Sequence, residues 1–227
     1  MCLWPIWFLV TFICALIYLL VFLFIPPKKI HPLARVFCFL ILTAGGQWLK
    51  LYGVPPDPKK GPYLYLFNHE SMFDVFMMVA AVPHYISAVG ANKQFSWLIW
   101  GFLIRRYGII PIKRSQLHEA IRSLELAEIE IRNGVSFMIA PEGTRSIDGT
   151  MGPFKKGPFH LALNTGVTIV PVGLRGVFRA KRKTDWRLNP GILKLKFGKP
   201  LSFEEYSGYS VEELREFVRN KIVKLSQ

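Results

Sequence analysis

The segment from Asn68 to Asp74, NHESMFD, contains the first group of side chains able to do chemistry. His69 and Asp74 are five positions apart, which would place them about 140° apart around the axis of a continuous helix. They can therefore meet only if His69 lies in a loop before the helix. Ser71-x-x-Asp74 has the form of a capping box, which predicts a helix that begins at Ser71. Asp74 would then accept a hydrogen bond from one imidazole nitrogen and raise the basicity of the other.

His69 is predicted to be a general base acting on a substrate hydroxyl. An enzyme nucleophile is not expected, because no serine or cysteine at suitable spacing accompanies the pair. Two other interpretations stay open. Asp74 can cap the helix while His69 is an ordinary turn residue. A metal site through His69, Glu70 and Asp74 is the weaker alternative, since no second histidine or cysteine group supplies the remaining ligands. We expect no metal.

A second polar segment, PEGTRS at residues 141–146, follows a later apolar run. It combines a flexible turn at Gly143 with the Thr144 hydroxyl and the Arg145 guanidinium, a mixture suited to holding a phosphate. Arg114, at the end of another apolar run, can close a clamp on the same phosphate. Each of these features alone is also typical of an ordinary surface turn.

Charged residues near these segments are further candidates for binding. Glu142 would repel a phosphate, so we expect it to order an arginine or to bind a glycerol hydroxyl. Lys155 and Lys156 can hold a nucleotide phosphate, an acidic carrier protein or an anionic lipid head group. The bases at residues 179–183 can do the same, although a solvated charged face is their simpler interpretation.

Composition and charge exclude several classes of protein. With 51% hydrophobic residues, the chain is neither disordered nor collagen-like. Cys2, Cys14 and Cys38 have no paired spacing, so neither a zinc site nor a disulfide framework is expected. A net charge of +14 indicates an anionic partner: nucleic acid, a membrane surface or a phosphorylated substrate. We expect no nucleic acid, because helix-turn-helix and zinc-finger spacings are missing.

The N-terminal region is the most apolar part of the chain. Residues 3–25 are uncharged and long enough to cross a bilayer as a helix. Lys28, Lys29 and Arg35 follow, so the positive-inside rule predicts a membrane protein whose remaining chain lies on the cytoplasmic face. A helix buried in a soluble core is the alternative. The shorter apolar stretch at residues 36–51 is predicted to be interfacial or re-entrant.

The rest of the chain alternates short apolar runs with helical patterns, which predicts an α/β domain with a mixed, largely parallel sheet flanked by helices. Strands are predicted at 63–67, 86–89, 109–112, 136–140, 168–174 and 193–197, and helices at 72–82, 94–104, 115–132 and 159–164. We predict a membrane-anchoring segment over residues 1–54 and a catalytic domain over 55–227. Ligands collect beyond the carboxyl ends of parallel strands, so the polar segments that follow three of these strands should face one crevice.

These motifs together resemble those of the membrane-associated glycerolipid acyltransferases, typified by 1-acyl-sn-glycerol-3-phosphate acyltransferase. Residues 68–74 match the family's N-H-x-x-x-x-D block, and residues 141–146 match its P-E-G-T-R-S block. Residues 109–114 resemble the second block, an apolar strand ending in arginine, and IVPV at 169–172 resembles the fourth. Four blocks in this order are far more specific than any one of them.

The resemblance implies acyl transfer from a thioester, acyl-CoA or acyl-carrier protein, to the free hydroxyl of a lysophospholipid. Lysophosphatidic acid, giving phosphatidic acid, is the favoured acceptor, and the bilayer is a partner; no cofactor is implied beyond the donor. His69 would remove the hydroxyl proton while Asp74 orients it. The substrate-binding residues predicted in this way are Asn68, Lys113, Arg114, Glu142, Gly143, Thr144, Arg145, Lys155 and Lys156.

Two departures from the family pattern leave another lysolipid acceptor open. Lys113 stands where many members have an acidic residue, and Ala140 stands where phenylalanine often precedes the proline. Both positions border the predicted acceptor pocket. A non-catalytic module that binds anionic lipid through the basic segment, and a hydrolase that uses His69 on water, are the other functions left open.

Overall fold

Seven strands form one sheet in the computed structural model, which describes residues 3–22, 24–113 and 116–227. The strands are β1 (Gln47–Tyr52), β2 (Tyr63–Phe67), β3 (Ile86–Ala91), β4 (Ile110–Ile112), β5 (Ser136–Ile139), β6 (Thr168–Arg175) and β7 (Gly191–Phe197). The helices are α1 (Trp4–Phe22), α2 (Pro27–Ala44), α3 (Phe73–Ala81), α4 (Leu98–Tyr107), α5 (Leu117–Arg132), α6 (Gly157–Thr165), α7 (Val177–Ala180), α8 (Phe203–Tyr206) and α9 (Val211–Ser226). Short 3-10 helices cover Pro58–Lys60 and Asn92–Ser96.

The sheet has the strand order β1-β7-β6-β2-β5-β3-β4. All neighbouring strands are parallel except β6 and β7, which are antiparallel, so the predicted mixed, largely parallel sheet is confirmed. All five residues of β2 are buried, as expected for a central strand covered on both faces. Leu66 of β2 lies opposite Ile139 of β5, which brings the carboxyl ends of these two strands side by side.

Helices cover the two faces of the sheet in two layers, each with its own apolar core. We call α1–α4 the N-terminal layer; Phe22, Phe73 and Met77 belong to its core. We call α5, α6 and α9 the C-terminal layer; its core includes Phe159 and Ile222. Because both faces are covered, the central strands are continuous apolar runs in the sequence, without alternating polar positions.

Helix α1 is apolar on every side. Its inner face packs on the domain through Trp7 and Phe22, whereas Phe8 and Phe12 on its outer face are more than half exposed. Among the described residues it is the one helix long and apolar enough to cross a membrane.

Both ends of α1 bind the rest of the domain. At its start, Trp4 Nε1 donates to the carbonyl of Trp186, 2.7 Å away. At its end, the Arg106 guanidinium donates to the carbonyl of Phe22 at 3.2 Å. The helix therefore lies along the domain over its whole length.

The prediction of an interfacial or re-entrant segment over residues 36–51 is wrong at its C-terminal end. Residues 47–52 form strand β1, which pairs in parallel with β7, so that Trp48 lies opposite Ile192. The chain enters this strand through Gly46, whose φ of +75° favours glycine. An apolar run cannot reveal this from the sequence, because the pairing partner lies more than 140 residues later. The division of the chain at residue 54 stays a prediction.

The remaining predicted elements agree closely with the structure. The observed bounds of the six predicted strands lie within two residues of the predicted ones. The predicted helix at 94–104 is replaced by a 3-10 turn and α4, and the predicted helix at 115–132 is seen from Leu117, since residue 115 lies outside the described residues.

Candidate active site

His69 and Asp74 meet at the carboxyl end of β2. His69 lies in the loop between β2 and α3, and its Nδ1 is 2.7 Å from Asp74 Oδ2. The same carboxylate oxygen accepts the backbone N–H groups of Glu70 at 2.7 Å and Ser71 at 2.9 Å. Asp74 is fully buried, whereas the His69 side chain keeps 16% of its surface exposed. With Nδ1 donating to Asp74, Nε2 is left as the proton-accepting nitrogen.

The helix that carries Asp74 begins later than predicted. It starts at Phe73, not at Ser71, and no side chain caps it. The Ser71 hydroxyl instead donates to the carbonyl of Lys181 at 2.9 Å. Residues 69–72 are therefore free to wrap around the Asp74 carboxylate, which receives backbone N–H groups from this loop.

Glu142 joins the histidine loop to the loop that follows β5. Its Oε1 accepts the backbone N–H of His69 at 2.7 Å, and its Oε2 accepts that of Gly152 at 2.8 Å. Ser146 N–H donates back to the His69 carbonyl at 2.8 Å. Burial raises the pKa of Glu142, and the two backbone donors oppose that rise. Among the described residues, Glu142 holds two backbone N–H groups and forms no ion pair with an arginine, and its contact with a glycerol hydroxyl stays a prediction.

Asn68 connects two strands at the edge of the site. Its amide accepts the N–H of Leu174 at 2.7 Å and donates to the carbonyl of Leu174 at 2.9 Å, which joins the ends of β2 and β6. Its second N–H donates to Glu70 Oε1 at 2.9 Å. Because the side chain is buried and its donors are used, the structure gives Asn68 a positioning role instead of the predicted contact with substrate.

Glu70 is a part of the site that sequence reasoning did not single out, except as a possible metal ligand. Besides its bond to Asn68, its Oε2 accepts the backbone N–H of Phe178 in α7 at 3.1 Å. Burial, followed by the nearby charge of Asp74, raises the pKa of Glu70 to about 7. Its position beside His69 was the available signal, but its partner in α7 is set only by the fold.

The phosphate-binding candidates of the second loop lie beside this group. Gly143 has a φ of +72°, and a side chain there would meet Lys155, which packs against it. Thr144 is exposed, and its hydroxyl accepts a hydrogen bond from Lys183 at 3.1 Å. Burial and the charge of Arg145 lower the pKa of the neighbouring Lys181. Glycine, hydroxyl and positive charges are thus concentrated in the loop that Glu142 joins to His69.

Two other predicted residues lie apart from this group, and one lies outside the described part of the chain. Lys113 follows β4, at the edge of the sheet, where it is 3.9 Å from Glu119. The ammonium of Lys156 pairs with Glu212 on α9. Arg114 lies outside the described residues. Of the three segments predicted to face one crevice, the structure brings together those after β2 and β5.

Two observations bear on what the site can hold. Within residues 3–22, 24–113 and 116–227, no group of three His, Cys, Asp or Glu side chains is placed to bind a metal. An open cleft lies between the N-terminal layer and the sheet. Its lining is almost wholly apolar and includes Val75, Phe76, Trp100 and Met138. Val75, which lines the cleft, follows Asp74 directly in α3.

Comparison with known families gives a match over the central part of the chain. The model of the family described as Acyltransferase matches residues 49–175. This range contains all four motifs, strands β2 to β6 and most of β1.

Curated relatives named 1-acyl-sn-glycerol-3-phosphate acyltransferase are similar over most of the chain. The protein from Limnanthes alba is 34% identical over 183 residues, which are 77% of this chain and 63% of that protein. The protein from Saccharomyces cerevisiae is 31% identical over 194 residues, 84% of this chain and 63% of that protein. This chain thus spans somewhat less than two thirds of the length of either relative.

A solved structure has the same fold. The crystal structure of the 1-acyl-sn-glycerophosphate (LPA) acyltransferase PlsC from Thermotoga maritima superimposes with a TM-score of 0.86 at 23% sequence identity. The match covers 98% of this chain and 92% of that one, so the similarity includes the N-terminal helices.

Proposed function

This chain belongs to the acyltransferase family, and we propose that it transfers an acyl chain from an acyl thioester to the free hydroxyl of a lysophospholipid. Lysophosphatidic acid is the proposed acceptor and phosphatidic acid the product, as the names of the relatives suggest. Acyl-CoA and acyl-carrier protein are the proposed donors, and no further cofactor is required. The observation that carries the proposal is the 2.7 Å contact between His69 Nδ1 and the buried Asp74 at the carboxyl end of β2.

In the proposed reaction, His69 Nε2 accepts the proton of the acceptor hydroxyl while the oxygen attacks the thioester carbonyl. Asp74 stabilises the imidazolium that results, because its buried carboxylate faces Nδ1. A tetrahedral oxyanion forms and then collapses: the carbon–oxygen bond is retained, the carbon–sulfur bond breaks, and the imidazolium returns its proton to the leaving thiolate. No enzyme nucleophile is required, since the substrate oxygen attacks directly.

We assign the glycerol phosphate to the loop that Glu142 fixes beside His69. Arg145 and Lys155 supply positive charge there, and the Thr144 hydroxyl supplies a hydrogen bond. Arg114 keeps its predicted role in the phosphate clamp as part of this proposal. The cleft lined by Val75 and Phe76 offers an acyl chain a surface that is almost wholly apolar.

We further propose that the protein is bound to a membrane, on its cytoplasmic face, through the N-terminal layer. The outer face of α1 is apolar and uncharged, as expected for contact with lipid. Since both ends of α1 bind the domain, we favour a helix that lies within one leaflet beside the domain over one that crosses the bilayer.

An assay with a labelled acyl thioester, run with and without lysophosphatidic acid, tests the reaction. We expect labelled phosphatidic acid only in the presence of acceptor. Release of free fatty acid at the same rate without acceptor would instead identify a hydrolase, and no reaction in either case would identify a binding module.

A single substitution tests the assignment of the acceptor phosphate. Arg145→Ala should raise the acceptor KM about tenfold or more, because one charge-assisted contact is lost, and should leave the donor KM unchanged. An unchanged acceptor KM would contradict the assignment.

A further inference from the structure

A strongly basic surface lies between α7 and β7, outside the residues assigned to the reaction. We define the basic loop as residues 179–187. An open cleft is lined by Arg179, Arg182 and Arg187, together with Asp185 and Asn189. The single acidic residue of the loop, Asp185, is already paired with Arg187 at 2.9 Å. Among the described residues, neither Arg179 nor Arg182 forms an ion pair, so their charges are available to an external anion.

The basic loop is built around one buried lysine. Lys181 points inward, and its ammonium donates to the carbonyl of Arg182 at 2.7 Å and to the carbonyl of Asp185. The Arg182 guanidinium lies over the ring of Phe178, 5.3 Å from its centroid, which is within the reach of a cation–π contact. The cleft is therefore formed before any ligand binds, and binding does not have to order the loop.

The basic loop is joined to the lipid-facing surface of α1. Trp4 Nε1 donates to the Trp186 carbonyl at 2.7 Å, and the Trp186 side chain is 67% exposed. Trp4 also packs on Trp7 and Phe8, with ring centroids 5.5 and 5.3 Å away. Phe8 belongs to the exposed apolar face of α1. Aromatic residues and arginines are thus continuous with this face, which is the composition of a membrane–water interface.

The basic loop is also joined to the candidate active site. The Ser71 hydroxyl, in the histidine loop, donates to the carbonyl of Lys181 at 2.9 Å. Lys183 donates to the Thr144 hydroxyl at 3.1 Å. Binding of the basic loop to a surface would therefore fix the distance of His69 and of residues 141–146 from that surface.

We propose that the basic loop binds the head groups of anionic phospholipids. Trp186 lies at the level of the head groups, and Arg179 and Arg182 bind their phosphates, because planar guanidinium groups match phosphate oxygens. The nucleotide phosphates of a thioester donor would use the same arginines. The lipid is favoured because Trp4 links the loop to the apolar face of α1, which a soluble donor does not require. This inference goes beyond the proposed reaction and does not depend on turnover.

The test compares membrane binding of the full chain, diluted from detergent into two kinds of vesicle. One contains phosphatidylcholine alone, and the other contains equal parts of phosphatidylcholine and phosphatidylglycerol. The measured quantity is the ratio of the two partition coefficients, in which the apolar contribution of α1 cancels. Arg179→Gln with Arg182→Gln should lower this ratio by about 25-fold, because each arginine at a membrane surface contributes roughly fivefold.

A matched control removes the same charge from the other side of the sheet. Arg122→Gln with Lys224→Gln changes exposed residues on α5 and α9, and we expect the ratio to stay within about twofold of the wild-type ratio. An equal fall in both variants would overturn the proposal, because it would reflect net charge alone. An unchanged ratio with an increased KM for acyl-CoA would also overturn it and assign the loop to the donor.

A second measurement uses the unaltered arginines and does not depend on the folding of the double variant. The fluorescence of Trp186 is the difference between the wild type and the Trp186→Phe variant. Brominated phospholipids in anionic vesicles should quench this fluorescence, and high salt should reduce the quenching. Absence of quenching would place Trp186 away from the lipid and overturn the proposal. Because neither measurement involves acyl transfer, failure of the proposed reaction would leave both results interpretable.

Discussion

Helices α1 and α9 cover opposite faces of one sheet and differ in what they present to the surroundings. In α9, Leu214, Val218 and Ile222 are buried, its outward positions are largely charged, and Ser210 and Glu213 form a capping box. In α1, no residue is charged, and Phe8 and Phe12 are exposed where α9 has charged residues. Helix α9 packs directly on β6, whereas α1 packs mainly on α2. The N-terminal layer therefore presents an apolar surface, for which we propose lipid as the partner, whereas the outward positions of α9 are largely charged.

The largest expected effect is the loss of acyl transfer when the proposed general base is removed. His69→Ala should lower the rate of acyl transfer by about a thousandfold, because the proposed general base is lost, and should leave the melting temperature unchanged. His160→Ala, which changes an exposed histidine on α6 in the C-terminal layer, serves as the control and should keep the wild-type rate. A comparable loss of rate in both variants would contradict the proposed base.

The next prediction concerns the apolar surface of α1. Replacing Phe8 and Phe12 by serine should weaken partition into phosphatidylcholine vesicles by about 3 kcal/mol, because two large exposed side chains no longer enter the lipid. The matched variant changes Leu126 and Ile129 on α5, which are exposed to a similar degree, to serine and should partition as the wild type does. Equal losses in the two variants, measured by vesicle sedimentation, would remove the distinction between the layers.

A smaller effect is expected from the core of the C-terminal layer. Ile222 is fully buried on α9, so Ile222→Ala should lower the free energy of unfolding by about 2 kcal/mol through lost burial and a cavity. Vesicle partition should not change. Glu216→Ala on the outward face of the same helix should alter stability by less than about 0.5 kcal/mol. Denaturant unfolding followed by circular dichroism measures both, and a change in partition for Ile222→Ala would contradict the assignment of α9.

The smallest expected effect concerns two glutamates, Glu70 and Glu213, whose contributions to stability should change with pH in opposite directions. Burial raises the pKa of Glu70 from 4.5 to about 7, so the folded state holds a proton that the unfolded state loses first. Glu70 therefore contributes stability at low pH that is lost between about 4.5 and about 7. Glu213, whose pKa is lowered by the Ser210 backbone and hydroxyl, contributes stability that is lost as the pH falls below its usual range.

The two directions of pH dependence can be tested by measuring melting temperatures across this pH range. The variants Glu70→Gln and Glu213→Gln are each compared with the wild type. The Glu70→Gln variant should gain in stability relative to the wild type as the pH rises from 5 to 7, by a few degrees at most. The Glu213→Gln variant should keep a constant difference from the wild type over the same interval, because Glu213 titrates below it. A constant difference for Glu70→Gln would show that its carboxyl does not titrate there.

Local pattern was sufficient for most of the secondary structure. The runs that became β2, β5 and β6 are short, apolar and bounded by turn residues, so their existence and length could be predicted. Strand β1 could not, because QWLKLY follows an apolar helix and becomes a strand only by pairing with β7. The antiparallel direction of β7 was not predicted for the same reason: it depends on the connection through the basic loop.

The contacts of the candidate site were likewise predictable only where they join residues close together in the chain. The spacing of His69 and Asp74, together with the loop before the helix, was enough to predict that the two side chains meet. The contact between Glu142 and the His69 backbone, over 73 positions, was not predictable, because any nearby N–H group could have been the partner. Glu70 and the basic loop were likewise assigned to the site region only by contacts with α7 and the histidine loop.

The amino-acid sequence alone determined the apolar N-terminus, the alternation of strands and helices, the positive charge and the order of the motifs, since each depends on residues close together in the chain. Only the tertiary structure decided which strand ends adjoin, which carboxylates hold backbone N–H groups, and where the two ends of α1 bind. Those contacts join residues far apart in the chain, and a buried polar group accepts whichever partner the packing of the sheet brings to it.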